Sequence, residues 1–300
     1  MSLPVHDGGV TSISYSIDGH LIGIVSMHGT VRIWDTSTGR EAVAPLPSAD
    51  GPIWSVAFSP NGGIIASGTE AGTVYMWRSM TSHATPQRLS GHSGAITCVK
   101  WSPDGNIICS ASKDTELCLW SAETGELRAR LSGHSAAVNT FAFSPDSLFL
   151  ASGSEDYMLR LWRISNVPVQ CQVMDVQFGS ISCICFSPDG RSLVGSSLQG
   201  IRLWNVSTGQ KVLTLQHHSD FIQCVQFSAD GRSLVSADQQ QVCIWTFSRF
   251  TRNASLRVLR GHTDAVRSTA FSPDNLYVAS AADDGFARIW NTAKLGMFAR

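Results

Sequence analysis

A tryptophan recurs along the whole chain at nearly constant spacing, and this repeat limits the possible folds more than any other feature. Successive members lie 41 to 45 residues apart. Each lies near the end of a short run in which apolar and polar residues alternate, a pattern typical of a half-buried β-strand. The period therefore indicates an array of small sheets. The seven residues are Trp34, Trp77, Trp120, Trp162, Trp204, Trp245 and Trp290.

A second marker keeps the same period and resembles Ser-Pro-Asp-Gly after an aromatic residue. Proline fixes φ and glycine allows positive φ, so each copy predicts a tight turn between two antiparallel strands. A four-stranded sheet cannot bury both of its faces alone, whereas seven stacked sheets can. The copies span residues 15–19, 58–62, 101–105, 143–147, 186–190, 227–231 and 271–275.

Two further features carry a family resemblance. The pairs Gly91-His92, Gly133-His134 and Gly261-His262, with the endings Trp34-Asp35, Trp204-Asn205 and Trp290-Asn291, resemble WD40 repeats. The resemblance covers essentially the whole chain. It implies an all-β, seven-bladed β-propeller with four-stranded antiparallel blades, a single domain over residues 1–300, and an interaction surface on the propeller faces.

Charge and hydropathy limit the partners. The net charge is −1, from 22 basic and 23 acidic residues without a Lys/Arg run, so nucleic-acid binding is not expected. Four arginines recur two residues before the tryptophan and are expected on successive blade edges, not in one patch: Arg32, Arg160, Arg202 and Arg288. With no signal-peptide pattern and no apolar stretch of about 18 residues, we expect a cytoplasmic or nuclear protein without a membrane partner. Such arrays also occur as one domain of larger multidomain proteins.

The eight cysteines form no C-x-x-C pair and no cluster with zinc spacing. Cys98, Cys183 and Cys224 each follow an isoleucine by two residues, and the other repeats place serine or threonine there. The position therefore requires a small side chain, and we expect buried structural thiols. Neither a metal nor a cofactor is predicted.

Three repeats contain His, Ser, Asp and Trp in matched register, which raises the question of a hydrolase. An active site is normally built once, so the recurrence of these four residues in three repeats favours a structural role. The WD40 resemblance implies that they form a buried hydrogen-bonded tetrad. We predict no catalytic residues and no enzyme; the alternative is an enzyme or small-ligand binder that uses the central channel. The sets are His92, Ser110, Asp114, Trp120; His134, Ser152, Asp156, Trp162; and His262, Ser280, Asp284, Trp290.

The other repeats depart from this pattern. His6 and His218 keep the histidine position in repeats 1 and 6, where His28 and Gln239 occupy the aspartate position. Repeat 6 is one residue short between Ser236 and Trp245, which shifts Asp238 towards the aspartate role. Repeats 2 and 5 place Ala49 and Gln177 where histidine is expected, so those blades are predicted to be looser and held by packing alone.

The resemblance also implies a binding face, formed by the loops before the innermost strand and between the second and third strands. Trp, Phe and Arg are enriched in interface hot spots, and acids outnumber bases in this set. We predict a protein- or peptide-binding scaffold or adaptor, with a preference for Arg/Lys-containing peptides. The predicted residues are Trp54, Glu70, Lys113, Asn139, Glu155, Phe221, Gln223, Asp238, Arg267 and Asp283.

The spacing at the two ends predicts where the ring closes. The segments from Trp290 to Arg300 and from Met1 to His6 together match the usual distance from a tryptophan to the next histidine position. We expect residues 294–299 to supply most of the last outer strand, so that removal of residues 294–300 lowers stability.

Overall fold

The computed structural model describes residues 10–48, 50–78, 85–165, 168–175, 179–247, 254–272, 274–284 and 286–292. Residues 1–147 and 148–300 form two compact units, unit 1 and unit 2. The predicted ring closure, His6, Ala49 and Gln177 lie outside the described residues.

Unit 1 consists of short strands joined by tight turns. They are β1 (Val10–Tyr15), β2 (Leu21–Ser26), β3 (Thr30–Asp35), β4 (Leu46–Pro47), β5 (Ile53–Phe58), β6 (Ile65–Thr69), β7 (Thr73–Trp77), β8 (Gln87–Ser90), β9 (Ile96–Trp101), β10 (Ile107–Ser112), β11 (Leu117–Ser121), β12 (Leu127–Leu131) and β13 (Val138–Phe143).

Unit 2 repeats the same arrangement. Its strands are β14 (Phe149–Ser154), β15 (Leu159–Arg163), β16 (Gln170–Asp175), β17 (Cys183–Phe186), β18 (Ser192–Ser197), β19 (Gly200–Asn205), β20 (Lys211–Leu215), β21 (Cys224–Phe227), β22 (Ser233–Ala237), β23 (Gln241–Phe247), β24 (Ala254–Arg260), β25 (Val266–Phe271), β26 (Tyr277–Ala282) and β27 (Ala287–Asn291).

Seven antiparallel sheets follow one another along the chain, with strands paired in chain order. Six have four strands, and the described part of the seventh has three, β25 to β27. The described residues contain no helix. The predicted all-β class, a seven-bladed propeller with antiparallel blades, is confirmed. Each sheet is called a blade below and numbered along the chain.

The predicted turns are stabilised by side chains as well as by Pro and Gly. In blade 3 the Ser102 hydroxyl donates to Asp104 Oδ1 at 2.5 Å and accepts the N–H of Ile107 at 2.9 Å. Gly105 has a φ of 75°. Where glycine is replaced, Ser147 and Asn275 take the same left-handed conformation, with φ of 61° and 60°. The serine and acid of the motif therefore hold the turn in all these blades.

Blades within a unit share their cores. In unit 1 the buried face of blade 2, with Val74, Met76 and Leu89, packs against Ile96 and Val99 of β9. All five side chains are at most 2% exposed. Burial of aliphatic side chains contributes about 1.5–3 kcal/mol each, so neighbouring blades stabilise one another.

The position that alternates between Ser, Thr and Cys lies between two innermost strands. Ser55 Oγ of β5 accepts the N–H of Val99 in β9 at 3.0 Å, and Cys224 Sγ lies 3.2 Å from Thr269 Oγ1. A longer side chain would separate these strands, which explains the small residues. Burial raises the pKa of Cys224 to about 12, as expected of a structural thiol. Cys171 differs from the expectation because it is exposed on β16.

Candidate interaction surface

A β-bulge places Trp54 at the start of the innermost strand of blade 2. In the ladder between β5 and β6, Ile53 pairs with Thr69 and Ser55 with Gly68, so Trp54 is the extra residue. The same irregularity occurs at Thr11, Thr97 and Arg267. A bulge leaves one residue out of the ladder and redirects its side chain. The side chain at this position is therefore free to serve a purpose other than packing within the blade.

In blades 1, 3 and 5 the residue at this position is small and hydroxylated, and its hydroxyl donates a hydrogen bond to a carbonyl of the next blade. Thr11 Oγ1 donates to the carbonyl of Ile53 at 2.5 Å. Thr97 Oγ1 does the same to Val138 at 2.6 Å. Ser182 Oγ donates to the carbonyl of Ile222 at 2.7 Å. These three residues are structural and offer little to a partner.

Blade 2 uses the bulge differently, because Trp54 interacts with an acid. Its indole Nε1–H donates to a carboxylate oxygen of Glu70, which lies in the turn between β6 and β7. The N–H of Glu70 in turn donates to the carbonyl of Pro52 at 2.9 Å, which fixes the turn against the start of β5. Trp54 is half-buried, whereas Glu70 is exposed. An aromatic face and a carboxylate are thus held side by side at one end of the blade.

Lys113 occupies the position in blade 3 that Glu70 occupies in blade 2. Its N–H donates to the carbonyl of Ala95 at 2.9 Å, and its side chain is exposed. Asn139, half-buried at the start of β13, is the remaining predicted residue of unit 1. Unit 1 therefore contains Trp54, Glu70, Lys113 and Asn139 of the predicted set.

In unit 2 the bulged residue of blade 7 is paired with an acid of the neighbouring turn. Arg267 Nε donates to Asp283 Oδ2 at 2.8 Å, and a second bond comes from Nη2. Glu155 is exposed, and Phe221 and Gln223 are half-buried. Because the Arg267 guanidinium neutralises Asp283, this carboxylate does not contribute a free negative charge.

The assignment of Asp238 to the binding face is wrong. Its side chain is buried, with the residue only 3% exposed, and Oδ2 lies 2.8 Å from His218 Nδ1. The physical reason is the missing residue in repeat 6, which moves Asp238 into the place of the tetrad aspartate. His218 Nε2 lies 2.7 Å from Ser236 Oγ, and Trp245 Nε1 donates to the same oxygen at 2.8 Å. Blade 6 therefore has a full tetrad.

The tetrad of blade 3 shows how the four side chains satisfy one another. Trp120 Nε1–H donates to Ser110 Oγ at 2.8 Å, and Ser110 Oγ lies 2.9 Å from His92 Nε2. His92 Nδ1 lies 2.8 Å from Asp114 Oδ2. A neutral histidine with its proton on Nδ1 accepts from serine and donates to aspartate, so all four groups are paired. The chain of bonds runs from the third strand, β11, through the second strand, β10, to the loop that precedes β9.

The electrostatics of this tetrad favour an ionised aspartate. Burial raises the pKa of Asp114, but the Ser93 N–H and His92 lower it by more, so it stays below its ordinary value of 3.8. The serine lies between the indole N–H and the imidazole, buried from solvent, with 0% exposure. A serine so enclosed cannot meet a substrate, so this arrangement is suited to holding strands together.

Blades 4 and 7 carry the other predicted sets. In blade 7, His262 Nδ1 lies 2.8 Å from Asp284, His262 Nε2 lies 2.7 Å from Ser280, and Trp290 donates to Ser280 at 2.8 Å. In blade 4 Trp162 Nε1 donates to Ser152 Oγ at 2.8 Å. His134 of unit 1 is buried at 5% exposure, and Asp156 of unit 2 is half-buried.

The WD domain, G-beta repeat family matches seven segments: residues 1–35, 41–78, 84–121, 125–163, 170–205, 209–246 and 253–291. These cover most of the chain. The chain belongs to the WD40-repeat family. WD40 propellers are generally scaffolds for protein interactions. A comparison with individual curated proteins gave no match.

One residue of this WD40 chain was missed by the sequence reasoning. Tyr157, in the turn between β14 and β15, is 53% exposed and has a φ of 67°. The equivalent turns of blades 1 and 2 have Gly29 and Gly72. A tyrosine in the left-handed region costs roughly 1–3 kcal/mol and places an aromatic ring beside Glu155 in sequence. Alignment of the repeats places Tyr157 where other repeats have glycine, and this departure could have identified it as a candidate binding residue from the sequence.

The repeated arginines of the WD40 blades have separate local partners. Arg32 lies 3.4 Å from Glu41, and Arg288 Nη2 lies 3.9 Å from Asp284. Arg160 Nη1 contacts Cys171 Sγ at 3.8 Å, and Arg202 lies 3.4 Å from the amide of Gln199. Within the described residues, no group of three or more His, Cys, Asp or Glu side chains is suited to hold a metal. The described residues also include no helix with the length and hydropathy to cross a membrane.

Proposed function

We propose that this WD40-repeat protein is a scaffold or adaptor that works in the cytosol or nucleus and holds a partner peptide at Trp54 and Glu70. The observation that carries the proposal is the pairing of a half-buried indole with an exposed carboxylate at a bulge. In blades 1, 3 and 5 the equivalent side chains tie adjacent strands together instead. Within the described residues Trp54 makes no such bond to a neighbouring blade, and its indole bonds to Glu70 instead, so its size and polarity are better explained by recognition.

The chemistry of this pair favours an arginine or lysine of the partner. A guanidinium or ammonium attracts the face of an indole and forms charge-assisted hydrogen bonds with a carboxylate. Of the predicted acids, Asp238 is buried and Asp283 is neutralised, which leaves Glu70 in unit 1 and Glu155 in unit 2. The proposed preference therefore depends on these two carboxylates, with Glu70 as the principal one because an aromatic side chain supports it.

Selection from a library of random short peptides tests this proposal. The wild-type chain is expected to enrich peptides with Arg or Lys, and the Trp54→Ala/Glu70→Gln variant is expected to lose that enrichment. Glu123→Gln is a matched control, because Glu123 is an exposed glutamate of unit 1 in another turn. The melting temperature of both variants should stay close to that of the wild type, since neither Trp54 nor Glu70 belongs to a core cluster.

Two outcomes would contradict the proposal. Unchanged enrichment in the double variant would place the binding site elsewhere, and enrichment of peptides without basic residues would refute the preference. Lys113→Ala adds a directional check. Removal of this exposed cation should strengthen binding of basic peptides if they extend from blade 2 towards blade 3.

A further inference from the structure

Unit 2 has a cavity of about 730 Å³ between blades 4 and 5, beside the turn between β17 and β18 and the turn that follows β19. The cavity, named here the arginine groove, is lined by Phe149, Leu161, Arg163, Gln170, Gln172 and Arg191 among others. We propose that the arginine groove binds an acidic peptide segment of a partner protein. This site is separate from Trp54 and would select the opposite charge.

The charge of the groove carries the proposal. None of the described residues that line it is Asp or Glu, and within this described part neither Arg163 nor Arg191 forms an ion pair within 4 Å. Two other cavities of unit 2 differ, because both are lined by Asp230. Exposed arginines usually have carboxylates or carbonyls close by, and Arg191 has Asp189 in its own turn, whose pKa it helps to lower. Arg163 has no such carboxylate within 4 Å among the described residues, so its guanidinium beside the cavity favours a carboxylate ligand.

A matching groove in unit 1 shows what the arginine would do without a ligand. Arg78 follows Trp77 as Arg163 follows Trp162, and Arg78 Nη2 donates to the carbonyl of Ala122 at 2.8 Å and to that of Glu123. Gln87, from the adjacent outer strand, donates to the carbonyl of Thr124 at 2.6 Å. These bonds close the groove between blades 2 and 3.

The same bonds are not made between blades 4 and 5. In the described residues, Arg163 and Gln172 form no side-chain hydrogen bond to the turn at residues 205–208. The Gln172 amide nevertheless lies close to this turn, because its Nε2 would be 2.3 Å from a Cβ added to Gly209. The Asn205 side chain instead accepts from Ser207 and Thr208 within that turn. The Arg163 guanidinium therefore remains available within the described part of unit 2, whereas Gln172 lies against Gly209 as Gln87 lies against Gly125.

The apolar floor distinguishes a peptide from a simple anion. Leu161 is buried at 4% exposure, and Phe149 and Val206 are half-buried at the base of the groove. An aliphatic side chain flanked by carboxylates would bury apolar area against this floor and pair with both arginines. Inorganic phosphate or RNA would use the arginines alone. The favoured ligand is thus an acidic segment with an aliphatic residue near its centre.

Fluorescence polarisation with the full chain tests the proposal. The probe is a fluorescein-labelled Glu-Leu-Asp-Glu-Val peptide, and the comparison peptide is Gln-Leu-Asn-Gln-Val. We expect the acidic peptide to bind at least tenfold more tightly and Arg163→Ala/Arg191→Ala to weaken it at least tenfold. Arg232→Ala is the matched control, because Arg232 follows the same turn motif in blade 6 and lies outside the groove. It should bind like the wild type, as should Trp54→Ala/Glu70→Gln.

The exposed thiol of Cys171 provides a second measurement, since it lines the groove. A saturating amount of the acidic peptide should slow its reaction with a thiol reagent at least threefold, and Cys171→Ser identifies the signal. The proposal is overturned if the neutral peptide binds equally, if the double arginine variant binds unchanged, or if Cys171 stays equally reactive. Displacement of the peptide by equal concentrations of phosphate or short RNA would also overturn it, as plain anion attraction.

Discussion

Blades 2 and 3 of unit 1 have the same strand order and neighbour one another, but they are stabilised in different ways. In blade 3 the buried Trp120 N–H, Ser110 hydroxyl and His92 imidazole satisfy one another. In blade 2 the equivalent Ser67 Oγ and Trp77 Nε1 are buried without a hydrogen-bond partner in the described structure. The same blade backbone therefore forms with and without the polar network.

Blade 2 compensates through packing and through a pair at its edge. Tyr75 stands where blade 3 has Cys118, and its ring lies 5.6 Å from that of Trp77. Arg88 Nη2 lies 2.8 Å from Asp50 Oδ2. A hydrogen bond from Thr73 and the Arg88 charge hold the pKa of Asp50 below its ordinary value of 3.8. The comparison teaches that the tetrad adds stability and specificity to a blade whose core is already built by apolar residues.

Removal of the tetrad aspartate should have the largest effect. Asp114→Ala leaves His92 and the N–H of Ser93 without their acceptor, so we expect a loss of about 3 kcal/mol in the free energy of unfolding. Urea denaturation measures it. A loss under about 1 kcal/mol would mean that blade 3 is held by packing as blade 2 is.

The second largest effect is expected when the same serine substitution is made in blades 2 and 3, because it should destabilise only blade 3. Ser110→Ala deprives Trp120 and His92 of a buried partner and should cost about 2 kcal/mol. Ser67→Ala removes a hydroxyl without a partner, so its free energy of unfolding should be unchanged or slightly higher. Equal losses in both variants would show that the two hydroxyls play the same role.

Acid should weaken blade 6 by a smaller amount. Burial lowers the pKa of His218 below its ordinary value of 6.5 despite the hydrogen bond and charge of Asp238, which raise it. The unfolded chain therefore binds a proton below pH 6.5 that the folded chain resists, and stability falls as the pH falls from 6.5. His218→Asn should show a shallower decline between pH 6.5 and 5 in urea titrations. An identical slope would assign the decline to other groups.

A second decline is expected at lower pH. Burial raises the pKa of Asp238, but the Gln240 N–H and His218 outweigh it and leave that pKa below 3.8. Stability that this carboxylate provides above pH 3.8 is lost as the pH falls through its folded value. In urea titrations below pH 3.8, Asp238→Asn should show a smaller loss of unfolding free energy than the wild type. A loss of the same size in both proteins would exclude Asp238 as the source.

The smallest effect is expected at the edge of blade 2. Arg88 is 54% exposed, so solvent screens its ion pair with Asp50, and Arg88→Ala should cost about 0.5 kcal/mol. Thermal unfolding with Arg128→Ala as a neighbouring exposed control measures the difference. A loss as large as that of Ser110→Ala would make this pair the functional replacement of the tetrad.

Much of this fold was predictable because the repeat marks its turns and strand ends directly. The tryptophans end or nearly end the third strand of each blade, and Ser-Pro-Asp-Gly marks the first turn. The role of Asp238 was harder to predict, since one missing residue exchanged two neighbouring positions. The Trp54–Glu70 bond depends on a bulge, and the arginine groove depends on bonds that Arg163 does not make. Neither has a sequence signal, because both arise from distances between separate elements.

The bulge at Trp54, Thr97 and Arg267 also affects how such a protein can diversify. Trp54 and Arg267 bond to a turn of their own blade and take no part in the strand ladder, so they can be replaced without a change in strand register, unlike Thr97, which bonds to the next blade. Ligand preference can then evolve by single substitutions, one blade at a time, while the architecture is inherited unchanged. Bulges are present at four such positions in the described residues, Thr11, Trp54, Thr97 and Arg267, and an engineer could alter binding specificity at those that do not join two blades.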